Sequence, residues 1–149
     1  MKRIIGIGND FRRDDAVGLV VARALKARTL AGCEVLEASG EGAQLMELWK
    51  GAEAVILIDA LQSGHPPGAI RRFAAHRQAL PARSFRYSTH AFSLGEAIEL
   101  ARALGEIPPR LEVFGIEGRD FSAGEGLSPE VAAAARALAE EIFAIMREP

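Results

Sequence analysis

Short apolar segments of the strand type alternate along this chain with longer segments whose apolar residues suit a helix. The strand-type segments lie at residues 4–7, 34–38, 54–58, 69–74 and 111–116, with the strongest signal at 54–58 and a weaker one at 69–74. Helices are predicted at residues 14–28, 43–50, 94–104 and 129–146. This alternation predicts an α/β fold, a three-layer α/β/α sandwich with a mostly parallel, roughly five-stranded central sheet.

Polar residues mark the starts of three of these helices. Asp14 or its neighbour is expected to cap the first one, because carboxylates suit a helix N-terminus. Ser93 and Glu96 match a capping box. Ser128 is expected to cap the last helix, since a proline and an early carboxylate follow it. The predicted apolar face of the first helix comprises Val17, Val20, Val21, Ala24 and Leu25.

The size and composition of the chain are those of an ordinary globular protein. Its 149 residues, 49% of them apolar and 26% charged, predict one domain spanning residues 1–149. The net charge of −2 comes without a basic block, so we expect no nucleic-acid partner. The sole cysteine, Cys33, excludes an internal disulfide and a cysteine-rich zinc site within one chain.

No apolar run approaches the roughly 20 residues of a membrane helix. The first residues also lack the core and processing site of a signal peptide. We therefore expect a cytoplasmic protein with no membrane partner. The modest size and ordinary surface composition favour a monomer.

Three residues from distant parts of the chain are candidates for one functional site: Asp15, Asp59 and His90. Asp15 follows the first predicted strand, Asp59 ends the third, and His90 precedes the helix that begins near Ser93. The carboxyl ends of parallel strands share one edge of an open α/β sheet, and ligands bind at that edge. Two carboxylates and one imidazole suit nickel, zinc or manganese, so the pattern predicts a metal site.

Each of these residues also has a simpler interpretation. Asp15 could stabilise a helix dipole, an effect worth about 0.3–1 kcal/mol. Asp59 could cap the turn after its strand, although burying a carboxylate is costly unless it is paired or bound to metal. His90 could be a polar loop residue. His65 and His76 lie in stretches rich in Pro, Gly and Arg and are expected to be solvated.

The glycines at the end of the first strand suggest a nucleotide-binding loop, but the details do not fit. The dinucleotide fingerprint G-x-G-x-x-G requires a third glycine, and Phe11 stands at that position. Asp10, Asp14 and Asp15 would in addition repel a pyrophosphate. No serine lies in a G-x-S-x-G elbow, so a serine hydrolase is not expected.

Taken together, these segments resemble the hydrogenase maturation endopeptidases over nearly the whole chain. The most specific match is the opening motif from Gly6 to Gly18, which contains Asp14 and Asp15. Further matches are Gly40, Asp59-Ala60, His90, Gly115 and Gly126-Leu127-Ser128. Two positions depart from the family: Asp15 is Glu in some members, and Ala16 stands where many have Gly.

The resemblance implies an endopeptidase that removes the C-terminal extension of a [NiFe]-hydrogenase large-subunit precursor after nickel insertion. Carried over residue by residue, it makes Asp15, Asp59 and His90 both the nickel-binding and the catalytic residues. It also implies that the nickel arrives in the precursor, although other divalent metals could occupy the site. Such a metal could polarise the scissile carbonyl or lower the pKa of a bound water. Because His90 must be neutral to ligate, metal engagement should weaken in acid.

Two alternatives to this peptidase remain open on the sequence alone. The same three residues could serve a non-catalytic nickel-sensing or chaperone module. A small nucleotide-binding α/β domain is the other alternative, despite the poor fit of its fingerprint.

Overall fold

The computed structural model describes residues 1–81, 85 and 92–148. Its strands form one sheet in the order β2-β1-β3-β5-β4, parallel throughout except for the antiparallel pairing of β4 with β5. The strands are β1 (Lys2–Ile7), β2 (Cys33–Ala38), β3 (Ala54–Leu61), β4 (Ile70–Ala74) and β5 (Arg110–Glu117). The helices are α1 (Val17–Lys26), α2 (Gly42–Trp49), α3 (Leu94–Ala103) and α4 (Pro129–Arg147), and a short 3₁₀ helix (Arg13–Ala16) precedes α1.

Two hydrophobic cores lie on opposite faces of the sheet. Alternate residues of a strand point to opposite faces. Ile4 of β1 therefore packs in one core with α1 and α4, and Ile5 packs in the other core with α2 and α3. The predicted three-layer α/β/α sandwich with a five-stranded, mostly parallel sheet is confirmed.

The first helix differs from its prediction at its start. Residues 13–16 form the 3₁₀ helix, so α1 begins only at Val17, and no side chain caps it. The expectation that Asp14 or its neighbour caps this helix is therefore wrong. The predicted apolar face is correct for Val17, Val21 and Leu25, which are fully buried, whereas Ala24 is exposed.

The starts of α2 and α3 are fixed by carboxylates. The predicted capping box of α3 is present. The Glu96 carboxylate accepts hydrogen bonds from the Ser93 backbone N–H at 3.4 Å and the Ser93 hydroxyl at 3.0 Å. At α2, Glu41 accepts from the N–H groups of Ala43 and Gln44, at 3.0 and 2.9 Å.

The third strand is longer than predicted. Its apolar run ends at Ile58, but β3 continues to Leu61 because Asp59 pairs with Gly115 and Leu61 pairs with Glu117 of β5. On its other side, the pairing of β3 with β1 ends at Ile58, opposite Gly6. Asp59 is therefore a strand residue just beyond the point where the pairing of β3 with β1 ends.

Two further expectations concern histidines and membranes. His65 is exposed, as predicted, but His76 is only partly exposed, so its predicted solvation is wrong. The reason is that β4 ends against the start of β5, where His76 Nδ1 lies 3.1 Å from both the N–H nitrogen and the carbonyl oxygen of Leu111.

None of the helices in the described part of the chain is long and apolar enough to cross a membrane.

Candidate active site

Asp15 lies in the 3₁₀ helix that follows β1 at the carboxyl edge of the sheet, and its side chain is half-buried. The backbone N–H of Asp15 donates to the carbonyl oxygen of Arg12 at 3.0 Å. A Cβ atom added to Gly8 would lie only 2.3 Å from the carbonyl oxygen of Asp15. The 3₁₀ helix can therefore fold back against the end of β1 only because residue 8 has no side chain.

Gly18 brings the start of α1 against the same edge. A Cβ atom at Gly18 would lie 2.2 Å from the carbonyl oxygen of Ile58 and 2.3 Å from that of Ile7. The first turn of α1 thus touches the main chain of both β3 and β1. Ile58 directly precedes Asp59, and Gly18 follows Asp15 by three residues. The structure therefore brings Asp15 and Asp59 to one edge, where the 3₁₀ helix contacts β3.

The carboxylate of Asp59 is half-buried at this edge. Its Oδ1 atom accepts a hydrogen bond from the backbone N–H of Ala60 at 2.8 Å. Because β3 continues to Leu61, Asp59 does not cap a turn. The turn-capping interpretation of Asp59 is therefore wrong, and its ligand-binding role stays a prediction.

His90, the third candidate, lies outside the residues that the structure describes. The chain is described again from Phe92, whose carbonyl oxygen accepts from the Gly42 N–H at 2.7 Å. A Cβ atom at Gly42 would lie 2.2 Å from the ring of Phe92. Within the described ranges, no group of three or more His, Cys, Asp or Glu residues could hold a metal ion.

Asp14 has a structural role that sequence reasoning missed. Its side chain is fully buried, and its carboxylate accepts four hydrogen bonds. The donors are the N–H groups of Arg119 (2.8 Å), Asp120 (2.9 Å) and Ser128 (2.7 Å), and the Ser128 hydroxyl (2.8 Å). Asp14 therefore ties the 3₁₀ helix that carries Asp15 to the loop before α4.

These hydrogen bonds determine the ionisation of Asp14. Burial acts to raise its pKa, but the hydrogen bonds from Ser128, Asp120 and Arg119 outweigh burial and hold the pKa below the ordinary 3.8. Ser128 stands at the N-cap position of α4, as predicted, yet its side chain makes no capping bond to that helix. Its hydroxyl donates to Asp14 instead.

Comparison with known proteins identifies the chain's relatives. A family model described as HycI, hydrogenase maturation protease, matches residues 19–145. This chain belongs to the hydrogenase maturation protease family. The hydrogenase 2 maturation protease of Escherichia coli K12 is 26% identical to it over 149 residues, which cover 97% of this chain and 90% of that protein.

Solved structures agree with this assignment. The hydrogenase maturating endopeptidase HybD from E. coli superposes with a TM-score of 0.82 at 25% identity, covering 98% of this chain and 91% of that one. The [NiFe] hydrogenase maturation protease HybD from Thermococcus kodakarensis gives a TM-score of 0.79 at 26% identity, with coverages of 98% and 99%. The chain is thus a peptidase of hydrogenase maturation, as the resemblance implied. Because the family and the relatives are proteases, the comparisons argue against both alternatives, the nucleotide-binding domain and the non-catalytic module.

Two further carboxylates of this protease are buried, and both lie in β5: Glu112 and Glu117. Glu112 accepts from the guanidinium groups of Arg72 and Arg110, and Glu117 from the backbone N–H and hydroxyl of Ser63. Each is therefore satisfied by partners within the fold and has a structural explanation. The sequence signal for Glu112 was a charged residue inside an otherwise apolar strand, whereas Glu117 lies just after the predicted strand.

Proposed function

We propose that this protease removes the C-terminal extension of a [NiFe]-hydrogenase large-subunit precursor once nickel has been inserted. In this proposal, the carboxylates of Asp15 and Asp59 and the imidazole of His90 recognise the nickel in the precursor. The observation that supports it is the close approach of α1 to β3 at Gly18, which leaves two half-buried carboxylates at one edge of the sheet.

The chemistry of these side chains suits a metal that arrives already bound to the substrate. Carboxylates and imidazole are ligands that first-row divalent metals accept. Three protein ligands would leave coordination positions for groups of the precursor. In this proposal nickel is part of the substrate, as the family resemblance implies, and the protease supplies a partial set of ligands.

The two carboxylates lie on parts of the fold that are firmly held, which favours a rigid site. Asp59 lies in a strand that pairs with β5, and Asp15 lies in a 3₁₀ helix anchored by the neighbouring Asp14. A metal docked on rigid ligands fixes the position of the polypeptide that carries it. The scissile bond is then oriented before it reacts, and such positioning accounts for a large share of enzymatic rate enhancement.

The test is the mass of the precursor after incubation with the protease. The wild-type protein should release a peptide from a nickel-loaded precursor. Asp15→Ala, Asp59→Ala and His90→Ala should release none. Glu99→Ala is a matched control, since this carboxylate is exposed within α3, and it should cleave like the wild type. Cleavage at the wild-type rate by all three site variants would refute the assignment.

A further inference from the structure

Phe11 presents a large apolar side chain to solvent beside the candidate site. It is 68% exposed, more than any other large hydrophobic side chain in the described part of the chain. It lies four residues before Asp15, in the loop that joins β1 to the 3₁₀ helix. An aromatic ring held in water at this position has no structural role in the core.

The main chain on both sides of Phe11 is nevertheless held firmly. The Phe11 N–H donates to Asn9 Oδ1 at 2.9 Å, and the Arg12 N–H donates to the Asn9 carbonyl oxygen at 3.3 Å. The Phe11 carbonyl oxygen accepts from the Gly124 N–H at 3.0 Å, and the Arg13 N–H donates to the Gly124 carbonyl oxygen at 3.1 Å. The backbone that carries the exposed ring is thus held by hydrogen bonds within its own loop and to the loop that contains Gly124.

The backbone conformations of Arg13 and Gly124 show that the loops which carry them are in close contact. Arg13 has a φ of +48°, in the left-handed region that residues with side chains rarely adopt. Gly124 has a φ of +138°, and a Cβ atom there would lie 2.6 Å from an Arg13 guanidinium nitrogen. On the other side of Phe11, Asp10 forms a bidentate ion pair with Arg23 at 2.8 and 2.9 Å. A strained position such as that of Arg13 persists where surrounding contacts enforce it, and such positions cluster at functional sites.

An exposed aromatic residue on a fixed backbone suits a protein-binding surface. Aromatic anchors that fill a pocket on the partner dominate the affinity of many interfaces. A preorganised anchor also loses little conformational freedom on binding. A maturation protease must hold a folded protein substrate against the edge that carries Asp15, and Phe11 lies at that edge.

We propose that Phe11 is a substrate-recognition residue whose ring inserts into an apolar pocket of the hydrogenase large-subunit precursor and so holds the precursor over Asp15 and Asp59. This proposal rests on the proposed function, because it takes the precursor as the substrate. It assigns to the loop at residues 9–13 a role in affinity, separate from the metal recognition assigned to Asp15.

The test measures precursor binding and cleavage separately for Phe11→Ala. Loss of an aromatic anchor should raise KM and the dissociation constant of the precursor by about 30-fold, with kcat at saturating precursor changed by less than about twofold. Phe11→Leu should recover most of the affinity. Leu104→Ala removes another exposed apolar side chain, 57% exposed just after α3, and should leave both constants unchanged. Equal melting temperatures would show that the variants are folded.

The outcomes separate this proposal from the proposed function. Unchanged KM and dissociation constant in Phe11→Ala would overturn the anchor, and so would a loss confined to kcat. Asp15→Ala, measured in parallel, should bind the precursor but not cleave it. If Asp15→Ala, Asp59→Ala and His90→Ala all cleave normally while Phe11→Ala binds weakly, the metal site is wrong and the anchor stands.

Discussion

Ser128 donates both its backbone N–H and its hydroxyl to the carboxylate of Asp14, at 2.7 and 2.8 Å. The two residues are 114 positions apart in the chain. Their contact fixes the 3₁₀ helix to the start of α4. Asp14 therefore links the 3₁₀ helix that carries its neighbour Asp15 to the C-terminal part of the fold.

Replacing Asp14 should destabilise the protein strongly. Asp14→Ala would remove a fully buried carboxylate and leave the partly buried donors of Ser128, Arg119 and Asp120 without their acceptor, and we expect the free energy of unfolding to fall by about 3 kcal/mol. Urea denaturation would measure this change. Glu99→Ala, which removes an exposed carboxylate, should change stability by less than about 0.5 kcal/mol. A loss in Asp14→Ala no larger than in this control would contradict the anchoring role.

Gly18 should tolerate no side chain, because its position sets the contact between α1 and the sheet. Gly18→Ala would force a methyl group against the carbonyl oxygens of Ile58 and Ile7. We expect a loss of stability of about 2 kcal/mol or more and a loss of precursor cleavage, since Asp15 would move away from Asp59.

Gly95 provides the matched control for this substitution. It lies in α3 with nothing within 4 Å of an added Cβ atom. Gly95→Ala should therefore stabilise the protein by about 0.5–1 kcal/mol, since alanine favours a helix. Thermal unfolding of Gly18→Ala and Gly95→Ala measures the change in stability at each position. Equal changes at the two positions would argue against close packing at Gly18.

Much of the fold could be predicted because its signals are local. The apolar runs of β1 and β3 and the capping box at Ser93 lie within a few residues of the elements they specify. The extension of β3 to Leu61 could not be predicted, since it depends on pairing with β5 some 56 positions later. For the same reason Asp14 was mistaken for a cap: its partners lie 105–114 residues away, and adjacent aspartates carry identical local signals.

The candidate site was predicted from the sequence pattern and from the family resemblance. Asp59 was identifiable as a carboxylate at the end of an apolar run, where a buried charge needs a partner. Asp15 was preferred to Asp14 as the candidate after the first strand, and the family resemblance implied the same residue. The structure shows that the carboxylate of Asp14 accepts four hydrogen bonds within the fold, and the role of Asp15 in the site stays a prediction.

Glu112 should make stability depend on pH in acid. Burial acts to raise its pKa, but hydrogen bonds from Arg110 and Arg72 outweigh burial and hold the pKa below the ordinary 4.5. The folded protein therefore favours the ionised form, so this contribution is fully present above about pH 4.5 and is lost as the pH falls through the folded pKa.

Glu112→Gln would remove that contribution. We expect a loss of about 1–3 kcal/mol at neutral pH, which shrinks as the pH falls toward 3. Unfolding curves of the wild type and the variant across this range give the difference directly. A difference that stays constant from neutral to acid pH would show that ionisation of Glu112 does not stabilise the fold.

Recognition of nickel in the precursor by Asp15 and Asp59 is the central claim, and the most direct test compares nickel-loaded with nickel-free precursor. The masses of both should be followed by mass spectrometry after incubation with the wild-type protease and with Asp59→Ala. We predict that the wild type shortens only the nickel-loaded precursor and that Asp59→Ala shortens neither. Cleavage of both precursors at equal rates by the wild type would contradict the claim.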